Sequence, residues 1–128
     1  MKKVIHTENA PKAIGPYSQG ILANGFIFTS GQLPINPDTN ELIADISQAT
    51  AQCLNNIKAI LEAGGSSLEN IVKCNILLSD IADFAAMNKV YEGFFDDQPP
   101  ARICYQAAKL PMNAIIEIEA VAIVGEVI

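Results

Sequence analysis

The 128-residue chain has no tryptophan, a single histidine (His6) and three cysteines, Cys53, Cys74 and Cys104. With one histidine near the start of the chain, a Ser-His-Asp triad, a histidine zinc site or a histidine pair is not expected. The cysteines are odd in number and form no C-x-x-C pair, which fits neither a disulfide framework nor a zinc site. An active site would therefore use arginine, carboxylate, tyrosine, serine, asparagine, thiol and backbone groups.

Positive charge is also scarce, since 8 Lys and Arg face 14 Asp and Glu for a net charge of −6. No basic run exceeds Lys2-Lys3, no apolar run approaches the ~18 residues of a membrane helix, and no signal-peptide core follows the basic start. No glycine-rich phosphate loop is present. We expect a cytoplasmic protein with reduced thiols, without a metal or nucleotide cofactor, and without nucleic-acid or membrane partners.

What is abundant is apolar material: 50% of the residues are hydrophobic and 17% are charged. The length fits one domain over residues 1–128, because domains usually have about 100–200 residues. A lone domain of this size hides only part of such an apolar surface, so we expect a buried subunit interface.

Local signals define the first half of the chain. Asn24-Gly25, within residues 18–29, predicts a two-residue turn between antiparallel strands. Asp45 is a predicted helix N-cap, and Gly64-Gly65 a predicted left-handed stop. Between them, apolar residues recur at spacings of three and four and include Cys53, which we therefore assign to the core.

The second half is predicted to be strand, helix, strand, strand. A strand spans 71–78, a helix begins after its N-cap Asp83 and ends at Pro99-Pro100, and strands 101–108 and 114–124 should pair with each other. Strand–helix–strand thus occurs twice, and right-handed crossovers place both helices on one face of the sheet. The other face is left uncovered, which is a second argument for an oligomer.

The last strand alternates apolar residues, which should face the helices, with a face that carries Glu117 and Glu119 among branched aliphatics. Pairing with the preceding strand would place Arg102 opposite or diagonal to one of these carboxylates. The pair could be a structural ion pair, or an arginine that binds a substrate carboxylate beside a proton-transfer group. Asn88, in the apolar face of the second helix, could tie a loop backbone or contact a ligand.

Five segments in the same order resemble the Rid family of reactive intermediate deaminases, also called endoribonuclease L-PSP. They are Ala13-Ile14-Gly15-Pro16-Tyr17-Ser18-Gln19, Thr29-Ser30-Gly31-Gln32-Leu33-Pro34, Pro100-Ala101-Arg102 with Cys104, Leu110-Pro111 and Glu117-Ile118-Glu119-Ala120. The resemblance implies a chorismate-mutase-like α+β fold, a mixed sheet with two helices on one face, assembled as a homotrimer with active sites in clefts between subunits. It also implies hydrolysis of 2-aminoacrylate and 2-aminocrotonate, released by pyridoxal-phosphate enzymes such as threonine dehydratase, to 2-keto acids and ammonia.

By the same resemblance Arg102 would hold the substrate carboxylate, and Glu117 would orient or activate the water. The pocket would be lined by Tyr17, Ser30, Gly31, Asn88 and Cys104. Several residues near the site depart from the family pattern and bear on substrate preference: Ile103, Tyr105, Gln106, Lys109 and Met112-Asn113. This chemistry needs no cofactor, since a protonated imine is already electrophilic.

Two other functions remain open at this point. The same arginine-lined cleft could bind keto acids or similar carboxylates without turnover, because binding and catalysis need the same clamp. The name L-PSP also implies an RNA-cleaving translation inhibitor, against which the charge of −6 and the single histidine argue.

Overall fold

A computed structural model describes residues 1–125, which form a six-stranded mixed sheet and two α-helices. The strands are β1 (Lys3–Ile5), β2 (Gly20–Ala23), β3 (Phe26–Thr29), β4 (Ile71–Leu78), β5 (Ala101–Gln106) and β6 (Ile116–Ile123). The helices are α1 (Ile46–Ala63) and α2 (Phe84–Glu92). The sheet order is β1-β2-β3-β6-β4-β5, with β4 and β5 parallel and all other neighbours antiparallel. Over the described residues, neither helix has the length and apolarity needed to cross a bilayer.

The predicted ends of α1 are confirmed. The Asp45 carboxylate accepts a hydrogen bond from the Gln48 N–H at 3.0 Å, a cap that typically contributes about 1 kcal/mol. Gly65 follows the helix at φ 87° in the left-handed region. The apolar stripe between these ends is buried, and the Cys53 side chain is fully enclosed.

The Asn24-Gly25 turn is confirmed as well. Both residues have positive φ, 52° and 79°. A type I′ turn requires positive φ at both central residues, and its twist matches that of the two strands it joins. β2 and β3 consequently pair in register, from Gly20 opposite Thr29 to Ala23 opposite Phe26.

The two helices contact each other and lie on the same face of the sheet, as predicted. The residues of β6 that point to them are buried: Ile116, Ile118, Ala120 and Ala122. No element of the described chain covers the opposite face, which we call the open face. Its large exposed side chains include Phe26, Phe28, Ile103 and Tyr105.

The prediction that the last two strands pair is wrong. β4 lies between β5 and β6, so Arg102 is opposite Cys74 and Glu117 is opposite Leu77, both partners being on β4. The segment that joins β5 to β6 crosses β4, a distance of about 10 Å at normal strand spacing. This segment contains a 3-10 turn at 111–113. The strands on either side of it are shorter than predicted, because β5 ends at Gln106 and β6 begins at Ile116.

The predicted start of α2 is confirmed, because Asp83 is its N-cap residue and the helix begins at Phe84, although the Asp83 side chain makes no capping hydrogen bond. A 3-10 turn at 81–83 precedes the helix, and the Asp80 carboxylate caps that turn by accepting from the Ala82 N–H. The predicted end of α2 is wrong. The helix ends at Glu92, seven residues before Pro99-Pro100. The chain then folds back, and the Phe95 ring lies 4.7 Å from the ring of Tyr91.

Candidate active site

The first group of predicted site residues, which we call the arginine half-site, consists of Asn88, Arg102 and Cys104. Arg102 and Cys104 lie on the helix side of the edge strand β5, and Asn88 faces them from α2. The Arg102 guanidinium donates a hydrogen bond to Asn88 Oδ1 at 2.6 Å. The Asn88 carbonyl oxygen therefore orients the arginine, and no side-chain hydrogen bond from Asn88 to a loop backbone is seen in the described chain.

Two aromatic rings fix the same guanidinium. Its central carbon lies 4.9 Å from the ring centre of Tyr91 and 5.5 Å from that of Phe84, within the range of cation–π attraction. An arginine stacked on rings and bonded to an amide has few rotamers left. It presents its remaining N–H groups in a fixed fork, the arrangement that binds a carboxylate through two parallel bonds.

A cavity of about 370 Å³ opens beside this arginine, and its wall includes Asn88, Tyr91, Pro99, Pro100 and Arg102. The volume suits a small organic acid. Arg102 is the cation in its lining, and the same lining contains two acidic side chains, Glu92 and Asp96, so an organic acid would be held at the Arg102 end.

The thiols around the arginine are not activated. Burial raises the pKa of Cys104, and the opposing effect of the Arg102 charge is smaller. Burial likewise raises the pKa of Cys74, which lies against the Tyr91 hydroxyl. The pKa of Tyr91 is also raised, mainly by burial and to a smaller extent by the neighbouring Cys74 thiol. Thiolate nucleophiles need the opposite shift, so Cys104 is suited to line a pocket.

The second group, which we call the glutamate half-site, consists of Tyr17, Ser30, Gly31 and Glu117. Ser30 donates from Oγ to the Ser18 carbonyl at 2.5 Å, which ties the end of β3 to the segment carrying Tyr17. The Tyr17 ring is 47% exposed, with its hydroxyl accepting from the Ile14 N–H at 3.3 Å. Gly31 lies directly against the Glu117 carboxylate.

Glu117 lies half-buried on the open face of β6. Burial, and secondarily the charge of Glu119, raises the pKa of its carboxyl group. A carboxylate with a raised pKa is a better proton acceptor near neutral pH. Glu119 is more exposed and accepts a hydrogen bond from Asn75 at 2.6 Å.

A cavity of about 480 Å³ lies on this face, with Gly31, Lys73, Ile103, Tyr105 and Glu117 in its wall. Ile103 and Tyr105, two of the departures noted in the sequence, thus line a cavity beside Glu117. Gln106 instead accepts a hydrogen bond from the Ile81 N–H at 2.8 Å and joins β5 to the turn before α2.

The two half-sites lie on opposite faces of the sheet. The predicted contact between Arg102 and Glu117 is absent from the described chain. A structural ion pair between these two residues of one chain is therefore wrong. Sequence reasoning also missed Phe84 and Tyr91 as the rings that hold the arginine. The available signal was their position on the same helix face as Asn88.

The model of the family described as endoribonuclease L-PSP matches residues 7–124. The chain belongs to this family. A RutC family protein from Pyrococcus horikoshii is 53% identical over 123 residues, which cover 95% of this chain and 98% of that protein. The 2-iminobutanoate/2-iminopropanoate deaminase of Escherichia coli K12 is 48% identical over 126 residues, 96% of this chain and 98% of the enzyme. The resemblance to reactive intermediate deaminases is confirmed.

Solved structures of the family share the whole fold. The structure of Escherichia coli TdcF with bound serine superposes with a TM-score of 0.92 at 44% identity, covering 96% of this chain and 99% of TdcF. The YjgF protein of Escherichia coli gives 0.91 at 47% identity, with 94% and 98% covered. The predicted α+β class, a mixed sheet with two helices on one face, is therefore confirmed.

Proposed function

We propose that this protein is a deaminase that hydrolyses 2-imino acids, in equilibrium with enamines such as 2-aminoacrylate and 2-aminocrotonate, to 2-keto acids and ammonia. Near-full-length similarity to an enzyme named 2-iminobutanoate/2-iminopropanoate deaminase supports the reaction class. The oriented guanidinium of Arg102 and the half-buried carboxylate of Glu117 supply the two groups that the reaction needs.

The mechanism uses Arg102 to bind and Glu117 to move protons. Arg102 holds the substrate carboxylate and fixes the protonated imine carbon in front of a water. Glu117 accepts a proton as the water oxygen bonds to that carbon, and the C=N π electrons move to nitrogen. The resulting carbinolamine is protonated on nitrogen, its C–N bond breaks to release ammonia, and loss of the hydroxyl proton leaves the 2-keto acid. The atoms balance as imine plus water without an oxidant or cofactor.

The active site is proposed to form between subunits of a homotrimer. The observation that carries this step is the placement of the two half-sites on opposite faces of one sheet, which keeps Arg102 and Glu117 of a single chain apart. The open face, with its exposed aromatic and branched side chains, is the surface that a second copy would cover. Packing of a neighbour there would bring its arginine half-site to this glutamate half-site.

The other predicted residues complete the pocket in this proposal. Asn88 orients Arg102, and Cys104 forms a neutral wall beside it. Tyr17 and Ser30 are assigned to the glutamate side, because Ser30 precedes Gly31 and is tied to the residue after Tyr17 by its bond to the Ser18 carbonyl. The proposed source of substrate is a pyridoxal-phosphate enzyme such as threonine dehydratase, which releases the enamine into solution.

A coupled assay tests the function. Threonine dehydratase generates 2-aminocrotonate, and formation of 2-ketobutyrate is followed with and without this protein. We expect the protein to accelerate 2-ketobutyrate formation beyond the spontaneous rate, and Glu117→Gln, at the same concentration, to lose that acceleration. Binding of 2-ketobutyrate without any acceleration by the wild-type protein would favour the carboxylate-binding function instead.

A further inference from the structure

Gly31 lies at a place in the glutamate half-site where a side chain would meet the Glu117 carboxylate. A Cβ built on Gly31 would lie 2.5 Å from Oε2, 2.9 Å from Cδ and 3.1 Å from Cγ of Glu117. All three distances are shorter than normal van der Waals contact. The space that glycine leaves empty is therefore the space that the Glu117 carboxyl group fills.

The backbone of this segment is not free to move away from Glu117. The Gln32 N–H donates to the Ile118 carbonyl at 2.7 Å, and the Ile118 N–H donates to the Gln32 carbonyl at 3.1 Å. This reciprocal pair joins the residue after Gly31 to the residue after Glu117. Gln32 is 5% exposed and Ile118 is fully buried, so this bridge is shielded from solvent.

Backbone conformation gives no separate reason for glycine at this position. Gly31 is not among the positive-φ residues of the described chain, whereas Gly25 and Gly65 are. Alanine at position 31 would meet no dihedral strain. The three atoms nearest to its Cβ would all belong to the Glu117 side chain.

We propose that Gly31 is a positioning residue for catalysis, whose missing side chain sets the location of the Glu117 carboxylate. This inference rests on the proposed function, in which Glu117 takes a proton from the attacking water. A methyl group at position 31 displaces that carboxylate, and misplacement by about 1 Å can reduce a rate about 100-fold. Substrate binding through Arg102 is unaffected, because Arg102 belongs to the other half-site.

The test combines Gly31→Ala with the coupled assay and with thermal unfolding. We expect kcat to fall about 10- to 100-fold while KM changes less than about threefold. Because the clash is with the flexible end of a half-buried side chain, which can rotate away, we expect Gly31→Ala to lower Tm by only about 1–4 °C in the wild-type background, and by less in a Glu117→Ala background, where the clash is removed.

Gly64→Ala is the matched control. Its Cβ would meet the side-chain ends of Ile5 and Ile27 at 2.5 and 2.6 Å on the helix face, away from Glu117. It should lower Tm and leave kcat of the folded protein unchanged.

The outcomes separate the two claims. Full kcat in Gly31→Ala overturns the proposal, and so does an equal Tm loss in the wild-type and Glu117→Ala backgrounds. If the wild-type protein fails to hydrolyse the imine, the proposed function is wrong, while the unfolding comparison still decides whether Gly31 sets the position of Glu117.

Discussion

Two inactive variants of this protein should restore activity to each other. Arg102→Ala disables the arginine half-site and Glu117→Gln the glutamate half-site, and neither change removes a buried core side chain. If each active site combines the two half-sites of different subunits, some sites in a mixed oligomer receive both intact halves. A site built within one chain would never do so.

The size of the recovery follows from counting. In an equal mixture that reassembles at random, the arginine half-site of any active site is intact with a probability of about one half. The glutamate half-site comes from another subunit and is independently intact with the same probability. About a quarter of wild-type activity is therefore expected in a closed symmetric ring. The recovery should vary with the mixing ratio and peak at equal amounts.

The assay is 2-ketobutyrate formation after co-expression or joint refolding of the two variants with different tags. Tandem affinity purification establishes that both chains are present in one oligomer. Arg102→Ala mixed with a chain carrying both substitutions is the control, because no site in that mixture can be complete. Mixed oligomers without activity would refute the shared site.

Two further variants and the pH dependence of Glu117→Gln test individual roles. Arg102→Lys keeps the charge but loses the fork held by Asn88, so kcat/KM should fall about 10- to 150-fold, as expected for loss of charge-assisted bonds worth roughly 1.5–3 kcal/mol. Cys104→Ala should retain most activity, and a roughly thousandfold loss of kcat in a folded variant would indicate covalent catalysis. Burial raises the pKa of Glu117, so the stability linked to its neutral form is present below its ordinary pKa of about 4.3 and is lost as pH rises through the raised value. In thermal scans, the Tm of Glu117→Gln minus that of the wild type should therefore increase as the pH is raised from about 4 to about 7. A decrease of this difference would contradict the desolvation of Glu117.

Features that depend on neighbouring residues could be predicted from the sequence. The Asp45 cap, the Asn24-Gly25 turn and the alternation along β6 each follow from a few adjacent residues, and the structure confirms all three. Alternation also singled out Arg102 and Glu117 on their own strands, whereas Tyr17, Ser30, Gly31 and Cys104 were named through the resemblance to a known family.

Features that depend on strand order could not be predicted in the same way. Alternation tells which residues share a face of one strand, but it does not tell which strand lies beside it. The short connection before β6 favoured a hairpin between β5 and β6. In the structure β5 pairs with β4 through the α2 crossover, and β6 pairs with the opposite edge of β4 and with β3. Arg102 and Glu117 were therefore assigned to one face when they lie on two.

The location of β6 between β3 and β4 has a consequence for how the chain reaches its native state. During synthesis every other strand is made first, so β1–β3 and β4–β5 exist as two separate pieces, each with an unpaired edge, until β6 enters between them. Contacts of this kind join distant parts of the chain, which slows folding and leaves the exposed edges open to aggregation. Because β6 also carries Glu117, completion of the sheet and installation of the proton-transfer group are one event, and a partly folded chain has no glutamate half-site.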